Sequence, residues 1–275
     1  MAKGMYVGNS NIARRVKNLY VGNSNVARKV KKAYVGVDNV ARLFYTSDWW
    51  IPSGISATNV IAAYRFKGAS SETEARTDLS GHGYTLSKAN SPVWTSANGF
   101  DMSHANAYLS NSTLNSLTTI KTIIIRFAGL PTTNGVLYPM SQIKGTYGTG
   151  TKNPMIYARF KLTNGSSTIS TNYPVVIVSW SNSKLKYYVA NTKLGAEGVI
   201  GYSSARIYIG GVLKSSTSPT TKTVESVLTT ETNLATSYSY TLDRFGGGKI
   251  YAAAFYSVDL NANQHKEVAN NMLVL

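Results

Sequence analysis

The sequence predicts an all-β protein with a short arm of repeated β-hairpins, a connector, and a β-sandwich body that ends in a short helix. One phrase recurs with a period of 14 residues near the N-terminus, and such a period indicates modular assembly. Short strand-like segments separated by Asn-Gly and Gly-Gly signals fill the rest. The composition, with 19 Tyr, 23 Gly and only 15% charged residues, is typical of many strands joined by tight turns.

The arm contains three copies of a phrase that opens with Tyr-Val-Gly, and the copies begin at Tyr6, Tyr20 and Tyr34. Two strands of about five residues and two two-residue turns account for the period. A capped helical turn is the competing interpretation, because the Asn in the middle of each copy could be an N-cap. We prefer hairpins joined into a small β-meander, because neither Tyr-Val-Gly nor the closing Phe44-Tyr45 favours a helix.

The first copy shows the register that a hairpin would have. A turn at residues 10–11 suits the positive φ that Asn tolerates. It places Val7 opposite Arg14 and Tyr6 opposite Arg15. Side chains alternate along a strand, so Val7 lies on one face while Tyr6 and Arg15 share the other.

Half of the positive charge lies in the arm. Residues 1–46 hold nine Lys and Arg against Asp38 alone, a net charge of +8 out of +16 for the whole chain. These cations could protect strand edges, or they could meet an acidic protein surface or nucleic acid. Nothing in the repeats specifies bases, so protein docking is the stronger expectation and nucleic acid the weaker. The predicted anchoring and oligomerising residues are Tyr6, Arg14, Arg15, Tyr20, Arg28, Lys29, Tyr34 and Arg42.

The domain organisation follows from this pattern: an arm over 1–46, a linker over 47–59 and a body over 60–275. Pro52 and Gly54 break regular structure in the linker. We expect Trp49 and Trp50 to pack where the arm meets the body. A body of this length fits one all-β domain.

The body shows strand-like segments in series and a helix at the end. Asn164-Gly165 is a strong turn signal. Asn261 followed by Gln264 resembles a capping box and predicts a helix over 262–271. The predicted strands are 61–67, 122–127, 155–162, 175–180, 184–190, 206–210 and 249–256.

The arm repeats resemble repeats in structural proteins of phages and prophages of Gram-positive gut bacteria. The resemblance rests on tandem (Val/Ile)-Ala-Arg units preceded by Tyr-Val-Gly and covers residues 6–45. It implies that the protein belongs to a virion assembled in the bacterial cytoplasm, with other virion proteins as partners.

The body resembles the laminin-G-like branch of the concanavalin-A-like jelly rolls. The matching segments are Ala63-Tyr64-Arg65-Phe66, the turn-rich stretch 78–86, the apolar strand 122–127 and a closing strand that runs into the helix. The resemblance implies two curved antiparallel sheets with about a dozen strands in total. Such folds host glycosidases, lectins and adhesion modules, so function must be argued from the site.

No catalytic constellation is visible in the sequence. Glycoside hydrolysis needs two carboxylates about 5 Å or about 6.5–9.5 Å apart, and the closest pair, Glu72 and Glu74, lies in a polar stretch that reads as a loop. The three histidines, His82, His104 and His265, have no metal-ligand spacing. We therefore predict no enzyme, no cofactor and no metal. A hydrolase with acids from distant segments is the least favoured alternative.

Two aspartates offer a further open choice. Asp78 and Asp101 could belong to a calcium site of the kind that some members of the resembled family carry. The simpler interpretation is that Asp78 bonds its own turn.

The body has three candidate carbohydrate-binding residues in predicted loops: Tyr147 in a Gly-rich loop, Asn182 and Tyr202. Trp94 and Trp180 are expected in the core. The sequence thus predicts a virion structural protein whose arm anchors it and whose body touches host-surface glycans, as a fibre or tail-tip component. A capsid or tail decoration protein with a purely mechanical role is the alternative.

The assembly and location follow from the same observations. The thin apolar face of the arm needs cover, so we predict a homo-oligomer, and a trimer would bury that face around an axis. No segment approaches the roughly 18 apolar residues of a membrane span, and no apolar segment of a Sec signal is visible. There are no cysteines, so stability is expected to come from packing or oligomerisation.

Overall fold

A computed structural model gives the fold of the chain. The residues it describes are 6–9, 12–15, 20–23, 26–29, 32–37, 40–46, 49–89, 91–102, 108–111, 113–114, 117, 119–129, 139–141, 155–157, 160–164, 167–171, 173–181, 184–204, 206–214, 220–223 and 248–274. Within them the predicted fold class is confirmed: a hairpin arm, a β-sandwich and a C-terminal helix.

The arm folds as three hairpins, one for each copy of the repeat. Every ladder among the described arm residues stays within one copy. The predicted hairpins are therefore confirmed, whereas the predicted continuous meander is wrong. The arm strands are β1 (Tyr6–Asn9), β2 (Ile12–Arg15), β3 (Tyr20–Asn23), β4 (Val26–Lys29), β5 (Lys32–Val37) and β6 (Val40–Thr46).

The body combines short strands with two helices, α1 (Glu72–Arg76) and α2 (Ala262–Leu273), and a 3-10 turn (Ala57–Asn59). Its strands are β7 (Val60–Arg65), β8 (Ser87–Ala89), β9 (Val93–Thr95), β10 (Gly99–Asp101), β11 (Tyr108–Ser110), β12 (Thr122–Ala128), β13 (Pro139–Ser141), β14 (Met155–Tyr157), β15 (Phe160–Asn164), β16 (Ser167–Thr171), β17 (Val175–Ser181), β18 (Lys184–Val189), β19 (Glu197–Ser203), β20 (Arg206–Ile209), β21 (Val212–Leu213), β22 (Thr220–Thr223) and β23 (Lys249–Tyr256).

Two main sheets organise these strands. The larger sheet has the order β21-β20-β19-β12-β23-β10-β9, with β7 also paired to β23. The smaller has the order β13-β14-β17-β18-β22. The described residues of the predicted strand over 155–162 all lie in strands, in β14, which pairs with β17, and in β15, which pairs with β16; residues 158–159 lie outside the described residues.

Alternation along β12 gives the larger sheet two buried faces. Ile123 and Ile125 point into the sandwich, where they join a cluster that includes Val176 and Tyr188 of the smaller sheet. Ile124 points to the opposite face, against a second cluster. The period of two in side-chain direction thus lets one apolar strand serve two cores.

Helix α2 covers the second face. Asn261 caps it: its side chain accepts from the backbone N–H of Gln264, whose side chain accepts from the backbone N–H of Asn261. The predicted capping box is therefore confirmed. The helix buries Val268, Ala269 and Met272 against the sheet.

The segment that follows the arm is packed onto this same face. Trp49 and Trp50 are 2% and 8% exposed and belong to the second core cluster. Tyr256 Oη donates to the Trp50 carbonyl at 2.8 Å, and Asn271 Nδ2 donates to the Trp49 carbonyl at 3.3 Å. Both tryptophans are therefore buried, and the cluster that they join belongs to the body; their predicted place at the join with the arm stays a prediction.

A second pair of bonds continues this attachment. The Ser53 N–H donates to Glu267 Oε2 at 2.9 Å, and Gln264 Nε2 donates to the Ser53 carbonyl at 3.1 Å. The part of the predicted linker that begins at residue 49, called the connector below, is thus held to helix α2 by hydrogen bonds.

Candidate functional site

The predicted anchoring residues all lie in arm strands. In the first hairpin Tyr6 pairs with Arg15 and Val7 with Arg14, as the sequence predicted. In the second, Tyr20 pairs with Lys29. Directly paired residues share a face of the ladder, so each of these hairpins has a tyrosine and a cation at directly paired positions.

The third hairpin repeats the arrangement with one change. Val35 pairs with Arg42, as valine and arginine do in the other copies, but Tyr34 pairs with Leu43 instead of a cation. A register shift follows Ala33. The strands of each hairpin hold two cations, but in the third hairpin these are Lys32 on one strand and Arg42 on the other.

The carbohydrate-binding candidates are not brought together. Tyr147 and Asn182 lie outside the described residues, and their predicted role stays a prediction. Tyr202 lies in β19 and is 9% exposed, within the sandwich core. Its predicted loop position is wrong, because β19 pairs on both sides, with β12 and β20, and carries the ring inward.

Both carboxylates of the acid pair considered for hydrolysis form salt bridges. Glu72 and Glu74 lie in α1, which the sequence had read as a loop. Glu74 Oε1 is 3.0 Å from Arg65 Nη2, and Glu72 Oε1 is 2.8 Å from Lys88 Nζ. Burial acts to raise the pKa of Glu74, but hydrogen bonds from Ser70 and Arg65 outweigh it and lower that pKa. A general acid needs the opposite shift.

Asp78 organises a turn. Its carboxylate accepts from the Ala63 N–H at 3.0 Å and from the Ser80 N–H and Oγ at 2.9 and 2.8 Å. Ser80 Oγ also lies 2.9 Å from Nδ1 of the exposed His82. Here the serine bridges the aspartate and the histidine, whereas a catalytic triad needs the histidine in the middle. The turn-forming interpretation of Asp78 is confirmed; Asp101 lies apart in β10.

His265 is a core residue. It is 1% exposed on α2, and its ring stacks on Tyr208 with centroids 3.8 Å apart. Gly201 lies beneath it, where a Cβ would come within 2.8 Å of the imidazole. Burial lowers the pKa of His265 to about 3, so the ring is neutral near pH 7. His104 lies outside the described residues.

A charged cluster at the end of α2 escaped the sequence analysis. Lys67 Nζ lies 4.5 Å and Arg126 Cζ 4.9 Å from the ring centroid of Tyr251, a cation–π arrangement. Arg126 donates to the Met272 carbonyl at 2.7 Å, where a cation complements the helix dipole, and its Nη2 is 3.8 Å from Glu197. The available signal was an arginine inside the apolar strand β12.

Burial, together with the charge of Arg126, lowers the pKa of Lys67. Burial also raises the pKa of Tyr251. Through the contacts of Arg126 with Tyr251 and with the Met272 carbonyl, the cluster joins β12, β23 and α2.

Among the described residues, no group of three or more His, Asp or Glu could hold a metal ion. None of the helices in the described part is long and apolar enough to cross a bilayer.

No protein-family model matches the sequence, and no curated protein matches it. The chain is similar to the solved botulinum neurotoxin serotype C1 binding domain at 12% identity, over 78% of this chain and 52% of that chain, with a TM-score of 0.46. It is similar to the botulinum neurotoxin DC binding domain, solved in complex with rat synaptotagmin II, at 13% identity over 79% and 52%, with a TM-score of 0.46. It is similar to the botulinum neurotoxin type G receptor binding domain at 14% identity, over 77% of this chain and 51% of that chain, with a TM-score of 0.40. The chain spans about half the length of these solved chains.

Proposed function

We propose that this chain is a non-catalytic structural protein of a phage particle, whose arm anchors it and whose body adheres to glycans of the host surface. The observation that carries the proposal is the tandem of hairpins: one pairing, between Val and Arg, recurs three times at the same place in the repeat. An active site needs one unique arrangement of groups, whereas a repeated module suits attachment and assembly.

The chemistry of the body supports a binding role. Its closest acids are held by Arg65 and Lys88, and His265 is buried and neutral. These groups serve the fold, so they are not available for proton transfer. The virion context rests on the resemblance of the repeats to phage structural proteins.

The first experiment measures binding of the labelled full-length protein to a panel of Gram-positive bacteria. The matched variant carries Arg14→Gln, Arg28→Gln and Arg42→Gln, which remove arm charge and leave the body unchanged. We expect saturable binding that survives both this substitution and about 0.3 M salt, because a glycan site in the body does not depend on screened charges. Free host glycan should compete.

Loss of binding in the arm variant and at high salt would attribute attachment to arm electrostatics and overturn the adhesion role. Failure to bind any cell would do the same and would favour the decoration protein. Immunogold labelling of purified particles tests the virion context separately. Label on an exterior projection is the expected result, and unlabelled particles would contradict it.

A further inference from the structure

Each arm hairpin has two outer edges of different charge. Strand β1 reads Tyr-Val-Gly-Asn and carries no charge, whereas its partner β2 ends in Arg14 and Arg15. The second hairpin repeats this: β3 is uncharged, and β4 ends in Arg28 and Lys29. In these two hairpins one edge is thus neutral and the other is doubly positive.

The third hairpin keeps the neutral edge. The single cation of β5 is Lys32, which pairs with Thr46 at the base of the ladder. The remainder of β5, over 34–37, pairs with the turn-proximal half of β6 and is uncharged. In all three copies the segment that begins with Tyr-Val-Gly is uncharged, and in the third copy Lys32 precedes it within the same strand.

An outer edge of a ladder presents backbone N–H and C=O groups to any strand that can reach them. Lys and Arg on an edge oppose such pairing, which is how proteins protect exposed strands. The charged edges of this arm are protected in that sense, and among the described residues no strand besides the hairpin partner pairs with the neutral edges. A two-stranded hairpin is also marginal by itself, so an additional strand is what each hairpin lacks.

We propose that the neutral edges of the arm pair with the neutral edges of a second copy of the chain. Each union forms a four-stranded sheet in which β1 or its equivalents lie at the centre and the cations lie on the two outer strands. Like charges are then kept apart. An edge that pairs with itself obeys a two-fold axis, so the assembly contains two chains. The inference rests on the anchoring role proposed for the arm and names the contact that builds it.

The alternative way to join copies is by the apolar face of the hairpins, around a three-fold axis. The pair Asn9 and Ile12 separates the two cases, because its members share a face but lie on opposite edges. The equivalent pairs are Asn23 with Val26 and Val37 with Val40. A lysine at the first member of each pair charges the neutral edge. A lysine at the second member charges an edge that is already positive and removes an apolar side chain from the face.

The experiment measures the mass of the full-length protein in solution by sedimentation over a series of concentrations. Three proteins are compared: the natural chain, Asn9→Lys with Asn23→Lys, and Ile12→Lys with Val26→Lys. The third hairpin is left unchanged, because Val37 is itself apolar and its substitution would alter both the edge and the face. We expect two chains for the natural protein and for the second variant. For the first variant we expect a dissociation constant raised by about 100-fold or more, since charged side chains on the pairing edge oppose the addition of a strand.

A natural protein that is monomeric or trimeric would overturn the proposal. So would the reverse pattern, in which the Ile12 variant dissociates and the Asn9 variant does not, because that pattern belongs to face packing. Equal dissociation of both variants also contradicts edge pairing. Thermal unfolding of the body, followed by tryptophan fluorescence, should be the same in all three proteins. The mass does not depend on adhesion, so this result is separable from the cell-binding test.

Discussion

In the arm, Asn9 pairs with Ile12 across a two-residue turn, whereas at the centre of the body Thr122 pairs with Tyr256. The first pairing is decided locally by the turn, and the second requires most of the body to be assembled. Local pairing makes a module that can be copied along the chain. Distant pairing makes a core on both faces of a sheet. The body thus has a packed core of its own, whereas for the arm we propose that a second copy of the chain supplies the missing contacts.

The largest expected change in stability comes from truncation of a tryptophan that follows the arm in sequence. Trp49→Ala should lower the free energy of unfolding of the body by about 4 kcal/mol, because a fully buried aromatic leaves a cavity when truncated. Val21→Ala in the arm should change it by less than about 0.5 kcal/mol. Both are measured by denaturant unfolding of the full-length protein. A small effect of Trp49→Ala would show that the connector is not part of the core.

The close approach of α2 to β19 is the next test. Gly201→Ala should cost about 1–3 kcal/mol, because the new methyl would meet the His265 ring at 2.8 Å. Gly195→Ala is the matched control, since its methyl would make an ordinary contact at 3.5 Å. Equal stabilities of the two variants would mean that α2 shifts without cost.

His265 makes the stability of the body depend on pH. Burial lowers its pKa from 6.5 to about 3 in the folded protein, so the unfolded chain binds the proton more strongly. The contribution of His265 to the free energy of unfolding is fully present above about pH 6.5 and is lost as the pH falls towards 3. At pH 5 the loss is about 2 kcal/mol relative to pH 7. His265→Phe keeps a ring beside Tyr208, and its free energy of unfolding should not show this loss between pH 7 and pH 5. Parallel pH profiles for the two proteins would contradict the assignment.

The smallest expected effect concerns the bond between the connector and the sheet. Tyr256→Phe removes the hydroxyl that donates to the Trp50 carbonyl at 2.8 Å. It should cost about 1–2 kcal/mol, because the buried carbonyl loses its donor. The comparison with Trp49→Ala separates the hydrogen bond from the packing. An unchanged midpoint of thermal unfolding would indicate that the carbonyl finds another partner.

The sequence predicted the arm ladder pair by pair, because a two-residue turn and a period of 14 leave one register. It also predicted β23 with both ends correct, since that strand is a continuous β-type run. It missed β19, whose Gly198 and Gly201 lower strand propensity. The reason for Gly201 is distant in the chain, because a Cβ there would lie 2.8 Å from the His265 ring; the space around Gly198 does not require a glycine.

The helix α1 was missed although a local signal existed. Ser71 precedes it and accepts from the Glu74 N–H at 3.1 Å, which is the N-cap pattern of Ser followed three residues later by Glu. The burial of Tyr202 had no local signal, because its exposure depends on the strands on either side. Pairing within a repeat is readable from sequence, whereas the environment of a body residue is decided by neighbours far along the chain.

The tryptophan pair has a mechanical consequence. The Trp50 carbonyl is held by Tyr256, the last residue of β23, which lies between β12 and β7. A pull on the arm would be delivered through the indole rings and this bond to the middle of the larger sheet, as a load along the strands. The body would behave as a rigid mount for the arm, and a load applied to the arm would be carried by the β-ladders of the larger sheet before any loop could extend.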